Sequence, residues 1–250
     1  MRNIKYIIPL LIFFFSLPAF ASLFSTSEEI KIGQQGSQQL EAKYGTVNDP
    51  ELNARLNKIG QAIAAQGTRG LTYHFKVLNT KELNALAFPG GFVYATYGIM
   101  KAMPDNQLAF VLGHEVGHVE CRHSVKSLEK QTYTQLGGEV LFAFLNKGKK
   151  TNANTLTAIK AANLVISNRY SQSAENEADA MGMQLMAKAG YDPYGAVDAL
   201  ETLQKLGGKS MSGFMNSFLG DHPLTKDRIK RAQELAPQIP FNRETAAPST

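Results

Sequence analysis

His114-Glu115-Val116-Gly117-His118 is the stretch that decides how this chain is read. Two histidines four residues apart on a helix lie about 40° apart around its axis, so both imidazoles reach one metal ion. The glutamate between them sits beside that metal, where an activated water needs a general base. The bare pattern arises by chance in roughly one chain in a hundred of this length. Its surroundings must therefore support it: a helix to hold it, a third ligand elsewhere and a compartment that supplies zinc.

The helix is expected from Pro104-Asp105 onward, with Leu108, Val111, Leu112 and Val119 as apolar positions at helical spacing. For the third ligand, His123 lies five residues after His118, about 140° further round an unbroken helix, and is assigned to packing or hydrogen bonding. His74 falls in a strand and is assigned a structural or surface role. His222, in the loop Gly220-Asp221-His222-Pro223, stays a candidate. The better candidate is a carboxylate on a helix expected from Tyr170 to Ala189. Glu175 and Asp179 are four apart and share a face there, while Glu177 points about 160° away. One of the pair can ligate while the other fixes a histidine tautomer.

Elsewhere the mature chain reads as helices around a small sheet. Ser27 is expected to cap a helix to Tyr44, and Asp49-Pro50 to open a second through Leu52, Leu56, Ile59 and Ile63, ending near Gly67. Strands are expected at Tyr73 to Leu78, Asn84 to Phe88 and Phe92 to Thr96, the last two joined by the turn Pro89-Gly90-Gly91. Residues 131–168 read as a hairpin of helices with a polar tip, a candidate lid. Asp192-Pro193 and Pro223 open two further helices, and residues 237–250 read as a loose tail.

Composition narrows the class. The chain has 250 residues, 44% hydrophobic and 19% charged, which suits one globular domain and is too apolar for disorder. The net charge of +5 is spread thinly, with no basic helix and no aromatic–basic interleaving, so nucleic acid is not an expected partner. Residues 1–21 read as an export signal: Arg2 and Lys5 lead an apolar run from Ile7 to Leu17, and Ala19-Phe20-Ala21 offers a cleavage site. Residues 22–250 are then a single exported domain. Cys121 is the only cysteine, so an intramolecular disulfide is excluded, and a buried, inert thiol is expected.

Several stretches together resemble the HtpX and CaaX prenyl protease family of zinc metallopeptidases. They are Asn84-Ala85-Leu86-Ala87-Phe88-Pro89-Gly90-Gly91, His114-Glu115-Val116-Gly117-His118, Arg122-His123, Glu175-Asn176-Glu177-Ala178-Asp179, and Asp221-His222-Pro223 with Arg228-Ile229. The resemblance implies a mostly helical α+β, gluzincin-type domain with a small sheet and an active-site helix pair. It implies one zinc per chain on His114, His118 and Glu175, with Glu115 as base and Asp179 behind a ligand. It also implies an edge strand at Phe92, Val93 and Tyr94 that pairs with extended substrate, a mode that also follows from strand physics. His222 is the first choice for a donor to the oxyanion, with Arg228 and Tyr94 behind it, and its alternative role is a plug on the metal. Gln172 stands where relatives often carry arginine.

The branch expected is the soluble, periplasmic BepA-like one, without the tetratricopeptide extension. The expected activity is zinc-dependent hydrolysis of peptide bonds in misfolded or misassembled envelope or outer-membrane proteins, with peripheral membrane association as a further expectation. The competing reading is a zinc-stabilised chaperone or assembly factor with little proteolysis. Glu115 argues against it, since a structural site needs no base.

Overall fold

Side-chain caps start the first two helices. The computed structural model describes residues 22–131, 170–207, 222–223 and 226–242. The expected export leader (residues 1–21), the expected 131–168 hairpin beyond residue 131, and residues 243–250 lie outside the described residues. Helix α1 (Thr26–Tyr44) is capped by Ser25 rather than Ser27: Ser25 Oγ accepts the Glu28 N–H while the Glu28 carboxylate accepts the Ser25 N–H at 2.8 Å. That exchange satisfies two end groups at once, which a lone Ser27 cap cannot do. Helix α2 (Pro50–Ala64) starts as expected, with Asp49 Oδ1 accepting from Glu51 and Leu52 at 3.0 Å each.

The strands are β1 (His74–Leu78), β2 (Ala85–Phe88) and β3 (Phe92–Thr96), in the order β1-β3-β2. Strand β3 pairs parallel with β1 and antiparallel with β2. This corrects the expectation for Phe92, Val93 and Tyr94. They lie on the central strand, both edges of which are already hydrogen-bonded, so their backbone has no free edge for a peptide. The turn between β2 and β3 needs positive φ at Gly90 (79°) and Gly91 (98°), which glycine adopts without steric cost.

Alternation along the strands sorts the sheet's two faces. Phe75, Val77, Ala85, Ala87, Val93 and Ala95 face the main core with α2, while Leu78, Phe88 and Tyr94 meet Leu40 of α1. Tyr94 Oη donates to Glu41 Oε1 at 2.6 Å on that α1 side. Tyr94 is therefore no donor to the histidine site, which lies beyond the opposite face.

A short helix, α3 (Tyr97–Ala102), has no counterpart among the expected elements; Thr96 caps it by accepting from the Ile99 N–H, and six residues are too few to show a period. Helix α4 (Asp105–Glu120) follows. Arg55 ties the two together, donating to the Met100 and Met103 carbonyls and to Asp105. Helix α4 is buried nearly all round, from Leu108 to Val119, and so forms the axis of the core. It ends at Cys121. Arg122 then turns into the left-handed region (φ 58°), and residues 123–131 resume helix in a new direction.

Helix α5 (Gln172–Lys188) is capped by Ser171 and stopped by Gly190 at φ 90°. Helix α6 (Gly195–Gly207) begins later than Asp192-Pro193 suggests, because Asn106 holds the Asp192 backbone through both its N–H and its carbonyl. Helix α7 (Lys226–Leu235) and a 3-10 turn (Ala236–Gln238) close the described chain. Among the described residues no helix is long and apolar enough to cross a membrane.

Small residues let α4 and α5 approach closely. A Cβ built on Gly182 would lie 2.6 Å from the His114 nitrogen, one on Gly113 2.8 Å from the Gly182 oxygen, and one on Gly117 2.9 Å from the Ala178 oxygen. That contact places the face of α5 bearing Glu175 and Asp179 against His114 and His118.

Candidate active site

Four parts of the chain meet at one buried point. Helix α4 brings His114, Glu115 and His118, α5 brings Glu175 and Asp179, residues 222–223 bring His222, and α7 brings Arg228. His114 Nδ1 lies 2.8 Å from Asp179 Oδ1, so it donates there and leaves Nε2 with a lone pair. His118 Nδ1 lies 2.8 Å from His123 Nδ1, which turns its Nε2 toward the same point.

Zinc at bonds of about 2.0–2.1 Å in tetrahedral geometry needs donor atoms about 3.3 Å apart. His114 Nε2 and His118 Nε2 are 3.0 Å apart, and Glu175 oxygens lie 3.4 Å from His118 Nε2 and 3.6 Å from His114 Nε2. The set fits the ion. His222 Nδ1 stands 3.2 Å from His114 Nε2 and 3.0 Å from Glu175 Oε1, and so occupies a fourth corner. Glu115 is buried beside them, its Oε1 3.5 Å from His222 Nε2.

Arg228 is 1% exposed, which fits support of the ligands better than contact with substrate. Its Nε and Nη2 donate to Asp179 Oδ2 and Oδ1 at 2.7 Å, and Nη1 lies 2.8 Å from Glu175 Oε2. Burial works against the charge of both carboxylates. For Asp179 the Arg228 charge and the His114 hydrogen bond outweigh it and hold the carboxyl below its ordinary value. For Glu175, hydrogen bonds from His118 and His222 do the same and hold it well below the carboxylate range. Burial, with His114 next, keeps His118 well below the usual imidazole range and therefore neutral, as a ligand requires. Burial would lower His222 too, but Glu115 and Glu175 outweigh it and raise its pKa.

Two residues of the site have roles that the sequence does not reveal. The helical period places His123 too far round to matter, but the left-handed Arg122 breaks the helix and turns His123 back beneath His118. Arg122 is held there by Glu29, whose Oε1 accepts from its Nε at 2.7 Å, and by the Phe24 carbonyl. A positive φ at arginine has no sequence signature; the pair Arg122-His123 within the resemblance is the available hint. Tyr170 stacks on the His118 ring with centroids 4.1 Å apart, and its hydroxyl bonds Ser124. His74 is exposed and stacks on Phe92, and Cys121 is buried, its thiol pushed up to about 11 by burial and then by Glu177.

A helix bearing H-E-x-x-H, completed by a glutamate from a second helix, defines a metallopeptidase centre. The chain belongs to peptidase family M48, whose description matches residues 48–236. Zinc is the metal of that family, and the donor set suits it. The chain is 30% identical over 226 residues to the beta-barrel assembly-enhancing protease of Escherichia coli, covering 87% of this chain and 46% of that protein. It is 28% identical over 215 residues to the metalloprotease YcaL of Escherichia coli, covering 86% and 82%. It is 32% identical over 168 residues to the mitochondrial metalloendopeptidase OMA1 of Arabidopsis thaliana, covering 67% and 32%. The chain thus spans less than half the length of the assembly-enhancing protease.

Proposed function

We propose that the protein is an exported zinc endopeptidase that cleaves misfolded or misassembled envelope proteins in the periplasm. The observation that carries the reading is Glu115: a buried carboxylate outside the ligand set, on the same helix turn as two metal ligands. When bound by His114, His118 and Glu175, zinc supplies Lewis-acid polarisation of a carbonyl and acidifies water. Glu115 then takes the proton of the attacking water and passes it to the leaving amine. Asp179 and His123 hold the two ligand rings in the tautomers this needs, and Arg228 steadies Asp179 and Glu175.

The sheet suggests how substrate lies. The Thr96 N–H donates to the Asn84 carbonyl just before β2, so by alternation Leu86 and Phe88 are the residues of β2 hydrogen-bonded to β3. Ala85 and Ala87 then aim their backbone groups at the outer edge of β2, the strand that packs on α4. An extended peptide added there would run alongside the histidine helix, bound through its main chain. His222, standing at the fourth corner, would act as a plug that withdraws before substrate is bound. Envelope proteins as targets rest on the export signal and on what the assembly-enhancing relative is named for.

A second reading has one observation in its favour. Four protein donors around a metal, His222 included, is how a structural zinc site is built. A zinc-stabilised assembly factor would use it. Glu115→Gln separates the two. On an unfolded β-barrel protein, cleavage should fall by roughly 10²–10⁴-fold with zinc content unchanged. Undiminished cleavage by a clean preparation would sink the mechanism. Equal rescue of an envelope defect by the variant and the wild type would favour the assembly factor.

A further inference from the structure

We infer that Cys121, His123 and Glu177 form a second metal site, for a borderline-soft dication of the zinc class, whose filling competes with the His118 site. The site itself stands apart from the proposed peptidase function; only the competition rests on His118 being a zinc ligand. One donor atom from each of the three residues lies within 4.8 Å of the others. His123 Nε2 is 3.2 Å from Glu177 Oε2, close to the spacing of donors around tetrahedral zinc. The turn at Arg122 makes this possible, since it brings His123 back beside Cys121 at the end of α4. Thiolate, imidazole and carboxylate are three protein ligands that leave one position open.

Access and charge also suit a cation, with one opposing feature. The Glu177 side chain is 55% exposed. It borders an open groove of about 490 Å³ together with His123, Lys126 and Tyr170. Lys126 and Lys130, which line the same groove, work against a dication there. A thiolate and a carboxylate balance the ion's two charges once the thiol proton leaves to solvent, and metal binding drives that loss even from a thiol raised to about 11.

Competition follows from proton counting. His118 and His123 face each other through Nδ1 at 2.8 Å, so one proton lies between them, and a ring that ligates metal must be neutral. Two neutral rings share two protons. One lies between the Nδ1 atoms, and the other sits on one of the two outer Nε2 atoms. With a metal on His118 Nε2, His118 donates from Nδ1 and His123 donates from Nε2 to Glu177. With a metal on His123 Nε2, that nitrogen's proton is lost, the His118 Nδ1 proton crosses to His123 Nδ1, and His118 Nε2 takes up a proton. It can then no longer bind metal, so each site when filled disfavours the other.

Cobalt(II) titration of the metal-free full chain tests this. The donors His114, His118, Glu175 and His222 include no sulfur, so thiolate-to-cobalt charge-transfer absorption reports Cys121 alone. The band is expected at high cobalt in the wild type and absent in Cys121→Ala, with an affinity roughly 10-fold or more weaker in Glu177→Gln. Excess zinc is expected to inhibit peptide cleavage by the wild type, whereas Cys121→Ala keeps its basal activity and resists. No thiolate band at saturating cobalt, or equal inhibition of Cys121→Ala, would overturn the inference. The band needs no turnover, so a band from a chain that cuts nothing would support this site and sink only the peptidase reading.

Discussion

Arg228 governs the site at the scale of single residues. Its guanidinium grips both oxygens of Asp179 and reaches Glu175, so it acts on the metal ligands through two carboxylates. Replacing it strands two buried carboxylates. Arg228→Met should cost about 3–5 kcal/mol of stability and weaken zinc binding by roughly 10–100-fold. Denaturant unfolding and competitive zinc titration check both; wild-type zinc affinity would show that Asp179 and Glu175 need no such support. At this scale the sequence is most legible where the geometry is local. The spacing of His114 and His118, and of Glu175 and Asp179, follows from one helical period. His123 is illegible because its position depends on one left-handed residue, Arg122, held by Glu29 from another helix.

Between elements, the contact of α4 with α5 decides whether a site exists. Gly113, Gly117 and Gly182 let the two backbones touch where any Cβ would meet main-chain atoms rather than a movable side chain. Gly182→Ala makes the sign informative. In an open helix interior alanine would stabilise by roughly 0.5–1 kcal/mol. Here the added carbon meets the His114 nitrogen, so overpacking should instead cost about 1–3 kcal/mol. Thermal melts and zinc titration of the variant should both show loss; a stabilised protein that binds zinc normally would refute the close-contact account. Helix starts at Asp49-Pro50 and Pro104-Asp105 are readable because their signals lie within a few residues of the ends they mark. The central place of β3 is not, since alternation reveals that a segment is a strand and says nothing of how many neighbours it has.

For the whole molecule, the buried carboxylates tie folding to acidity. Asp179 and Glu175 have folded pKa values below their unfolded ones, which lie near about 3.9 and 4.3. Their contribution is therefore fully present above the unfolded values and is lost as pH falls toward the folded ones. On acidification the unfolded chain binds protons first, and each group removes up to about 1.4 kcal/mol per pH unit. Denaturant midpoints of the metal-free protein should decline once pH falls below the ordinary imidazole value of about 6.5, because burial keeps His118 and His123 neutral in the fold, and drop more steeply below about pH 4. Midpoints that stay flat to about pH 3, a full unit below those unfolded values, would contradict the pairing with Arg228. By itself the sequence determined the longer helices, the three strands, the histidine pair with Glu115, and the carboxylate pair of α5. Each is written in a spacing of a few residues, and backbone geometry converts such spacing directly into a shared face. Only the tertiary structure decided that His222 stands at the fourth corner, that Arg228 locks the carboxylates, and that β2 rather than β3 has the outer edge. Those relations join residues as far apart as 108 positions in the chain, and they depend on glycine contacts and strand order that no local period encodes.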